Sequence, residues 1–324
     1  MPHAIRIHQT GGPEVLCWEA VDLPAPAPGE ATVRHHAVGL NYIDTYHRTG
    51  LYPLPLPSGI GLEGAGVVEA VGEGVTEVKV GDRVAYAGGP IGAYAEVRNI
   101  PAQRLLILPD SIGFDTGAAM MLQGLTAAYL LRKTYRVQPG DAVLIHAAAG
   151  GVGLIACQWA KALGATVIGT VSTEIKAELA RQHGCDHVIL YTREDVAKRV
   201  REITGGEGVA VVYDGVGKDT FMASIDSLRV RGTMVSFGNA SGPVPPFEPL
   251  LLSQKGSLFF TRPILAHHTA KRDELLDLGG ELFEKVLAGQ VKIEVNQRYA
   301  LAEAAQAHRD LEARKTTGST VLVP

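Results

Sequence analysis

Several things are scarce in this 324-residue chain, and each scarcity removes a class of function. Cysteine occurs three times, at Cys17, Cys157 and Cys185. An odd, widely spaced set makes no disulfide framework and suits a reducing compartment. Positive charge is not in excess: 30 Lys and Arg stand against 34 Asp and Glu, a formal net charge of −4. Without an overall basic field, nucleic acid and anionic membranes are poor partners. No unbroken apolar run approaches the roughly 20 residues that cross a bilayer. The N-terminal Met-Pro-His-Ala-Ile-Arg lacks a signal-peptide apolar core, so a cytoplasmic location is expected.

What is present falls into two styles. Residues 1–123 read as short strands punctuated by Gly and Pro, at 3–8, 14–22, 31–40, 66–71, 83–87, 94–98 and 105–108. From about Asp115 short Val/Ile-rich runs alternate with helical stretches, the runs at 143–146, 166–171, 187–191, 209–214, 233–237 and 257–261. Such alternation builds a doubly wound parallel sheet. Residues 273–287 and 302–314 read as helices and 319–323 as a closing strand. Leu275, Leu276, Leu282, Phe283, Val286 and Leu287 are expected on the apolar side of the first of these helices.

One segment carries chemistry. Leu144-Ile-His-Ala-Ala-Ala-Gly-Gly-Val-Gly153 is entered by an apolar strand pattern and left by a helical one. Glycine allows a tight turn and close backbone approach, and the helix N-terminus offers N–H groups to a pyrophosphate. Ala149, Gly150, Gly151, Val152 and Gly153 are the candidate contacts. An NAD-type fold usually places Asp or Glu about 20 residues beyond the loop, at the end of the next strand. Here that strand ends at Ser172, with Lys176 one helical turn on. A cation in a first helical turn opposes the helix dipole unless an anion lies beside it. The 2′-phosphate of NADPH is the expected anion. Glu174 leaves open the opposite choice, a free ribose hydroxyl.

The loop wording, Leu144-x-x-x-Ala148-Ala149-Gly150-Gly151-x-Gly153-x-x-x-x-Gln158-x-x-Lys161, resembles the quinone oxidoreductase and zeta-crystallin group of medium-chain dehydrogenases/reductases. Gly39-Leu-Asn-Tyr-Ile-Asp-Thr-Tyr46, Gly61-Leu-Glu-Gly-Ala-Gly66, Phe237-Gly-Asn-Ala-Ser-Gly242, Thr261-Arg-Pro263 and the end from Arg314 to Pro324 resemble other blocks of that group. The resemblance implies a Rossmann cofactor domain over 124–265. It implies a β-rich, GroES-like barrel catalytic domain over 1–123 and 266–324, with the reaction in the cleft between them. It also implies that Ser172, Lys176, Tyr191 and Arg314 surround the 2′-phosphate, and that Thr126, Phe237, Gly238, Asn239 and Arg262 lie around the cofactor.

The zinc enzymes of the same superfamily have Cys-x-x-Asp and Gly-His-Glu where this chain has Asn41-Tyr-Ile-Asp44 and Gly61-Leu62-Glu63. An amide and an alkyl chain are not normal zinc ligands, so no metal site is expected. Without a Lewis acid the substrate must accept hydride readily by itself, as a quinone does. Asn41 is expected to hydrogen-bond the nicotinamide ribose or the acceptor oxygen. Tyr46 and Tyr52 are candidate wall or proton-relay residues. No Ser/His/Asp arrangement is evident.

The expected function is therefore NADPH-dependent reduction of a quinone. Three other readings stay open: a zinc-free reductase of enones, enals or enoyl thioesters; an NADPH-sensitive RNA-binding protein; and an NADPH sensor without turnover. A homodimer is expected through an edge strand at 257–261, with Leu258, Phe259 and Phe260 as its exposed apolar area.

Overall fold

The computed structural model describes residues 1–324, which divide into two compact units. The first comprises Met1–Leu125, Thr269–Leu287 and Ile293–Pro324. Its main sheet runs Val295–Ala300, Ser319–Val323, Glu30–Leu40, Glu63–Val71, Arg83–Ala87 and Leu106–Ile107, with Val97–Pro101 also paired to Glu30–Leu40. A smaller sheet joins Cys17–Ala20, His3–Ile7 and Ser58–Gly59. The long strand Glu30–Leu40 serves three partners, Glu63–Val71, Val97–Pro101 and Ser319–Val323, and register shifts at Thr32/Val33 and His35/Ala37 bend it, as bulges do. Ile5, Ile7, Val33, Val38, Ile60, Val84 and Ile100 fill the interior that results.

The second unit comprises Thr126–His268 and Ala288–Lys292. The last segment is tied in by paired bonds, Gln158 Nε2 donating to Lys292 O (3.0 Å) and Lys292 N to Gln158 Oε1 (2.8 Å). Six parallel strands lie in the order His187–Leu190, Thr166–Val171, Ala142–Ile145, Val209–Asp214, Leu228–Ser236, Phe259–Thr261. The strands are near-continuous apolar runs, Val209–Asp214 being buried throughout, as a sheet covered on both faces requires. The order reverses between Ala142–Ile145 and Val209–Asp214, and ligands of such sheets bind at the strands' carboxyl ends beside that reversal. The expected class, a doubly wound parallel sheet plus a β-rich unit, is what folds. No helix is long and apolar enough to cross a membrane.

Several strand bounds shift, as from 94–98 to Val97–Pro101, and four local expectations change in kind. Pro13 starts a 3₁₀ turn over Pro13–Val15, which shortens the strand expected at 14–22 to Cys17–Ala20. The helix Arg272–Leu287 buries Leu275, Leu278, Gly279 and Leu282, a clean i, i+3, i+4, i+7 stripe, while Leu276 and Leu287 face solvent. Gly279 belongs to that stripe because Leu106 packs where its side chain would be. The helix expected at 302–314 is a 3₁₀ turn, Leu301–Glu303, followed by Ala304–Glu312. At the sheet edge the strand is Phe259–Thr261, and only Phe259 is strongly exposed. Leu258 is buried and Phe260 packs on Phe221 and Phe247, because alternate strand residues face opposite sides.

Candidate functional site

In the second unit the glycine loop leaves the strand Ala142–Ile145 and enters the helix Gly151–Ala162. Ala147 takes a left-handed backbone (φ 53°), and Gly150 N donates back to Ala147 O at 2.9 Å. A side-chain atom on Gly153 would lie 2.3 Å from Ala147 O, so the helix can sit this close to its own loop only with glycine there. The helix is capped by Gly150, which offers no side-chain acceptor. The neighbouring helices are self-capped: Thr173 accepts from Lys176 N and Asp195 from Lys198 N. The opening N–H groups at Gly151, Val152 and Gly153 have no intrahelical acceptor and aim out of the first turn. An uncapped N-terminus at the carboxyl edge of a parallel sheet is a fit for a pyrophosphate. Ala149 is buried within the same loop.

Beside it, the register Val171↔Leu190 brings Ser172 next to Tyr191, whose N–H donates to Val171 O at 3.2 Å. Tyr191 follows the strand, which ends at Leu190. The helix cap is Thr173 and not Ser172, which places Lys176 in the first turn of Glu174–Gln182. Glu174 forms an exposed pair with Arg193 at 3.4 Å. Ser172, Lys176 and Tyr191 thus share one end of the sheet. Arg314 lies in the first unit, in a left-handed turn (φ 58°) after the helix Ala304–Glu312.

The third part of this edge is a crossing of two loops. Phe237 N donates to Asp214 O (2.8 Å), Ala240 N to Gly215 O (3.2 Å) and Ser241 N to Val216 O (2.8 Å). A side-chain atom on Gly238 would be 2.3 Å from Gly215 O. Asp214 anchors the crossing: its buried carboxylate accepts from Val216 N, Gly217 N, Thr220 Oγ1 and Ser224 Oγ at 2.7–3.0 Å. Asn239 is part of the second loop. Arg262 donates to Ser236 O at 2.9 Å. Thr126 is buried on the helix Phe114–Tyr129.

Sequence reasoning missed Asp214 and its glycines, although Asp214-Gly-x-Gly217 after a buried strand is the signal that marks them. It also missed a buried polar chain, Thr170–His146–Ser224–Asp214. This is a Ser, His and Asp arrangement, but the serine lies in the middle and all are buried. Ser224 donates to the carboxylate, so it accepts from His146 Nε2–H. Burial lowers the His146 pKa, while Asp214 opposes the shift. The chain braces the sheet edge and offers no exposed nucleophile.

In the first unit Asn41 ends the strand Glu30–Leu40 and opens the helix Tyr42–Thr49. Its backbone N–H donates to Asp44 Oδ2 at 2.9 Å. Its buried amide is held at both ends, Nδ2 donating to Glu63 Oε2 (2.6 Å) and Oδ1 accepting from Gln123 Nε2 (3.1 Å). Burial pushes the Glu63 carboxyl up to about 8, against the pull of its Asn41 and Leu122 donors. Burial likewise raises Asp44 to about 7, although Asn41 N and the Tyr94 hydroxyl both donate to it. Tyr94 in turn contacts His308 Nε2 (3.1 Å), and His308 Nδ1 contacts Arg48 Nη1 (3.0 Å). Arg48 can only donate, so Nδ1 accepts and Nε2–H points at Tyr94. Burial and the Arg48 charge lower His308 to about 3. Arg48, itself buried, grips Glu312 through two nitrogens at 2.7 and 3.1 Å.

Tyr46 and Tyr52 do come together, their rings edge to face at 5.2 Å. Tyr42, not singled out from sequence, joins them at 5.7 Å from Tyr46. The adjacent histidines 35 and 36 part company: His35 is buried between Ala95 O (2.6 Å) and Tyr86 Oη (2.9 Å), and His36 stacks on Phe114. No three His, Cys, Asp or Glu side chains converge as a metal-binding group.

Known proteins match the whole chain. The zinc-binding dehydrogenase family matches residues 151–274 and the alcohol dehydrogenase GroES-like domain residues 27–110. A quinone oxidoreductase of Pseudomonas aeruginosa is 56% identical over 100% of both chains. A 2-haloacrylate reductase of a Burkholderia species is 49% identical over 100% of this chain and 99% of its own. The crystal structure of Escherichia coli quinone oxidoreductase complexed with NADPH superposes with a TM-score of 0.98 at 52% identity, covering 99% of this chain and 100% of that one.

Proposed function

The chain belongs to the quinone oxidoreductase family of medium-chain dehydrogenases/reductases, and we propose that it reduces quinones with NADPH and without a metal. The observation that carries the cofactor half is the uncapped N-terminus of Gly151–Ala162 beside Ser172, Lys176 and Tyr191. Bound NADPH supplies the hydride.

The chain's own residues do the rest. The N–H groups at Gly151, Val152 and Gly153 hold the pyrophosphate, while Gly150, whose own N–H is given to Ala147 O, lets the backbone approach it closely. Lys176, with Ser172, Tyr191 and Arg314, neutralises the 2′-phosphate. The pairing of Glu174 with Arg193 supports this choice, because it engages the one acid that could have favoured a free hydroxyl. Thr126, Phe237, Gly238, Asn239 and Arg262 shape the cofactor's surroundings. Asn41 donates a hydrogen bond to the acceptor oxygen or the nicotinamide ribose, and Tyr46 and Tyr52 form an aromatic wall. Neither Asn41 nor Leu62 can ligate zinc, so negative charge growing on the acceptor is met by delocalisation and an N–H donor.

A second reading is favoured by one finding: a relative at 49% identity is named for reducing a 2-haloacrylate. An activated alkene is the runner-up substrate class. The protein is further proposed to be cytoplasmic and a homodimer joined through the Phe259–Thr261 edge.

The test is a substrate panel with NADPH, run beside elemental analysis. The reading expects turnover of 1,4-benzoquinone, none of ethanol, no stoichiometric zinc and no effect of chelators. Faster turnover of an acrylate or enone than of any quinone favours the second reading. One zinc per chain, with activity lost on chelation, overturns the metal-free part.

A further inference from the structure

We infer that Glu63 is a positioning residue that fixes which way the Asn41 amide faces, so that Asn41 meets its ligand as a hydrogen-bond donor. This rests on the reading of Asn41 given above.

A primary amide is nearly symmetric in shape, and turning it over exchanges NH₂ and O at little steric cost. Its neighbours decide the choice. Four side chains here form one directed line. Ser319 Oγ donates to Gln123 Oε1 (2.7 Å), Gln123 Nε2 to Asn41 Oδ1 (3.1 Å), and Asn41 Nδ2 to Glu63 Oε2 (2.6 Å). The far oxygen, Glu63 Oε1, takes the Leu122 backbone N–H at 2.8 Å. All four residues are buried, so water cannot substitute for a missing partner.

Among the side chains, the direction is set at one end only. Ser319 is a hydroxyl that can donate or accept, and its oxygen also lies 3.2 Å from Ala119 O. Glu63 has an N–H on each oxygen and is arranged to accept. In its ionised form, which gains ground toward pH 8, the carboxylate can only accept; it draws Nδ2 to its own side, which turns Oδ1 to Gln123 and orders the rest. In Glu63→Gln the whole line can run backwards. The introduced amide would donate to Asn41 Oδ1, Asn41 to Gln123, Gln123 to Ser319, and Ser319 to Ala119 O. The amide group left over for a ligand would then be presented with donor and acceptor exchanged. Gly39 is part of the device, since a side-chain atom there would lie 2.3 Å from Glu63 Oε2.

The test compares Glu63→Gln, Asn41→Ala and the double variant, reading kcat and KM for 1,4-benzoquinone, NADPH affinity by fluorescence and melting temperature. We expect Glu63→Gln to lose roughly tenfold or more in kcat, as befits one reversed hydrogen bond. NADPH affinity should stay within about threefold and the melting temperature should not fall. The double variant should be no worse than Asn41→Ala, because both act through one group. Wild-type kcat in Glu63→Gln beside an impaired Asn41→Ala overturns the inference, and so do additive losses. A neutral Asn41→Ala overturns the reading of Asn41 and this inference with it. Should Glu63→Gln not fold, Gln123→Glu sets an acceptor against Asn41 Oδ1 and tests the same polarity from the other side. It should lose kcat non-additively with Asn41→Ala, and wild-type kcat there is equally fatal.

Discussion

The sharpest consequence of the loop geometry is that its glycines are not equivalent. A methyl group at Gly153 would sit 2.3 Å from Ala147 O and 2.8 Å from the Ala148 carbonyl carbon, all backbone. Ordinary contact begins near 3.4 Å, so in Gly153→Ala the loop and the helix must part by about 1 Å. At Gly150 the nearest atom is Ala147 O at 3.2 Å, and the backbone there is extended, so a methyl needs only a small adjustment. A 1 Å parting misaligns the N–H groups proposed to hold the pyrophosphate. Hydrogen bonds to a charged group are worth about 1.5–3 kcal/mol each. Losing one or two of them weakens binding by roughly a hundredfold, 1.4 kcal/mol being a factor of ten. NADPH titration by fluorescence should therefore give about a hundredfold higher Kd for Gly153→Ala and less than about tenfold for Gly150→Ala. Circular dichroism confirms that both variants are folded. Wild-type affinity in a folded Gly153→Ala, or equal losses at both positions, would refute the reasoning.

Lys176→Ala should raise the NADPH Kd about ten- to hundredfold, the worth of one charge-assisted contact, and leave NADH almost unchanged; equal losses would make Lys176 a fold residue. Burial holds Glu63 at about 8 and Asp44 at about 7, above ordinary carboxylate values, so the stability they lend is complete in acid and disappears as pH rises, from 3.8 to about 7 for Asp44 and from 4.5 to about 8 for Glu63. The melting temperature should decline across that range, less so in Glu63→Gln, and a rise would contradict the assignment. Quinone turnover should move the opposite way, as the accepting form of Glu63 returns with rising pH. Phe259→Asp should shift sedimentation toward the 34.3 kDa monomer; an unaffected dimer places the interface elsewhere.

The doubly wound sheet was legible because its signals are local. Apolar runs, turn glycines and helical stretches alternate along the chain, and Ala147 to Gly153 needs no distant partner to be read. The proposal that no zinc takes part rests on equally local signals, Asn41 and Leu62. What escaped is polar and remote. Asn41 meets Glu63 across 22 positions and Gln123 across 82, and nothing in composition or period reports such a meeting. Asp214 was hidden for another reason: at the end of an apolar strand it reads as a boundary, whereas its carboxylate gathers four donors. The edge strand was found but its faces were not separated, although period two would have sent Leu258 and Phe260 away from Phe259.

The unfinished end of the helix Gly151–Ala162 ties the protein's survival to its cofactor supply. A ligand present at a hundred times its Kd adds about 2.7 kcal/mol to the folded state. That makes the opened chain about a hundredfold rarer, and proteases that cut only opened chains slow in proportion. A cell drained of NADPH would therefore lose this enzyme faster than a replete one, with no dedicated degradation signal.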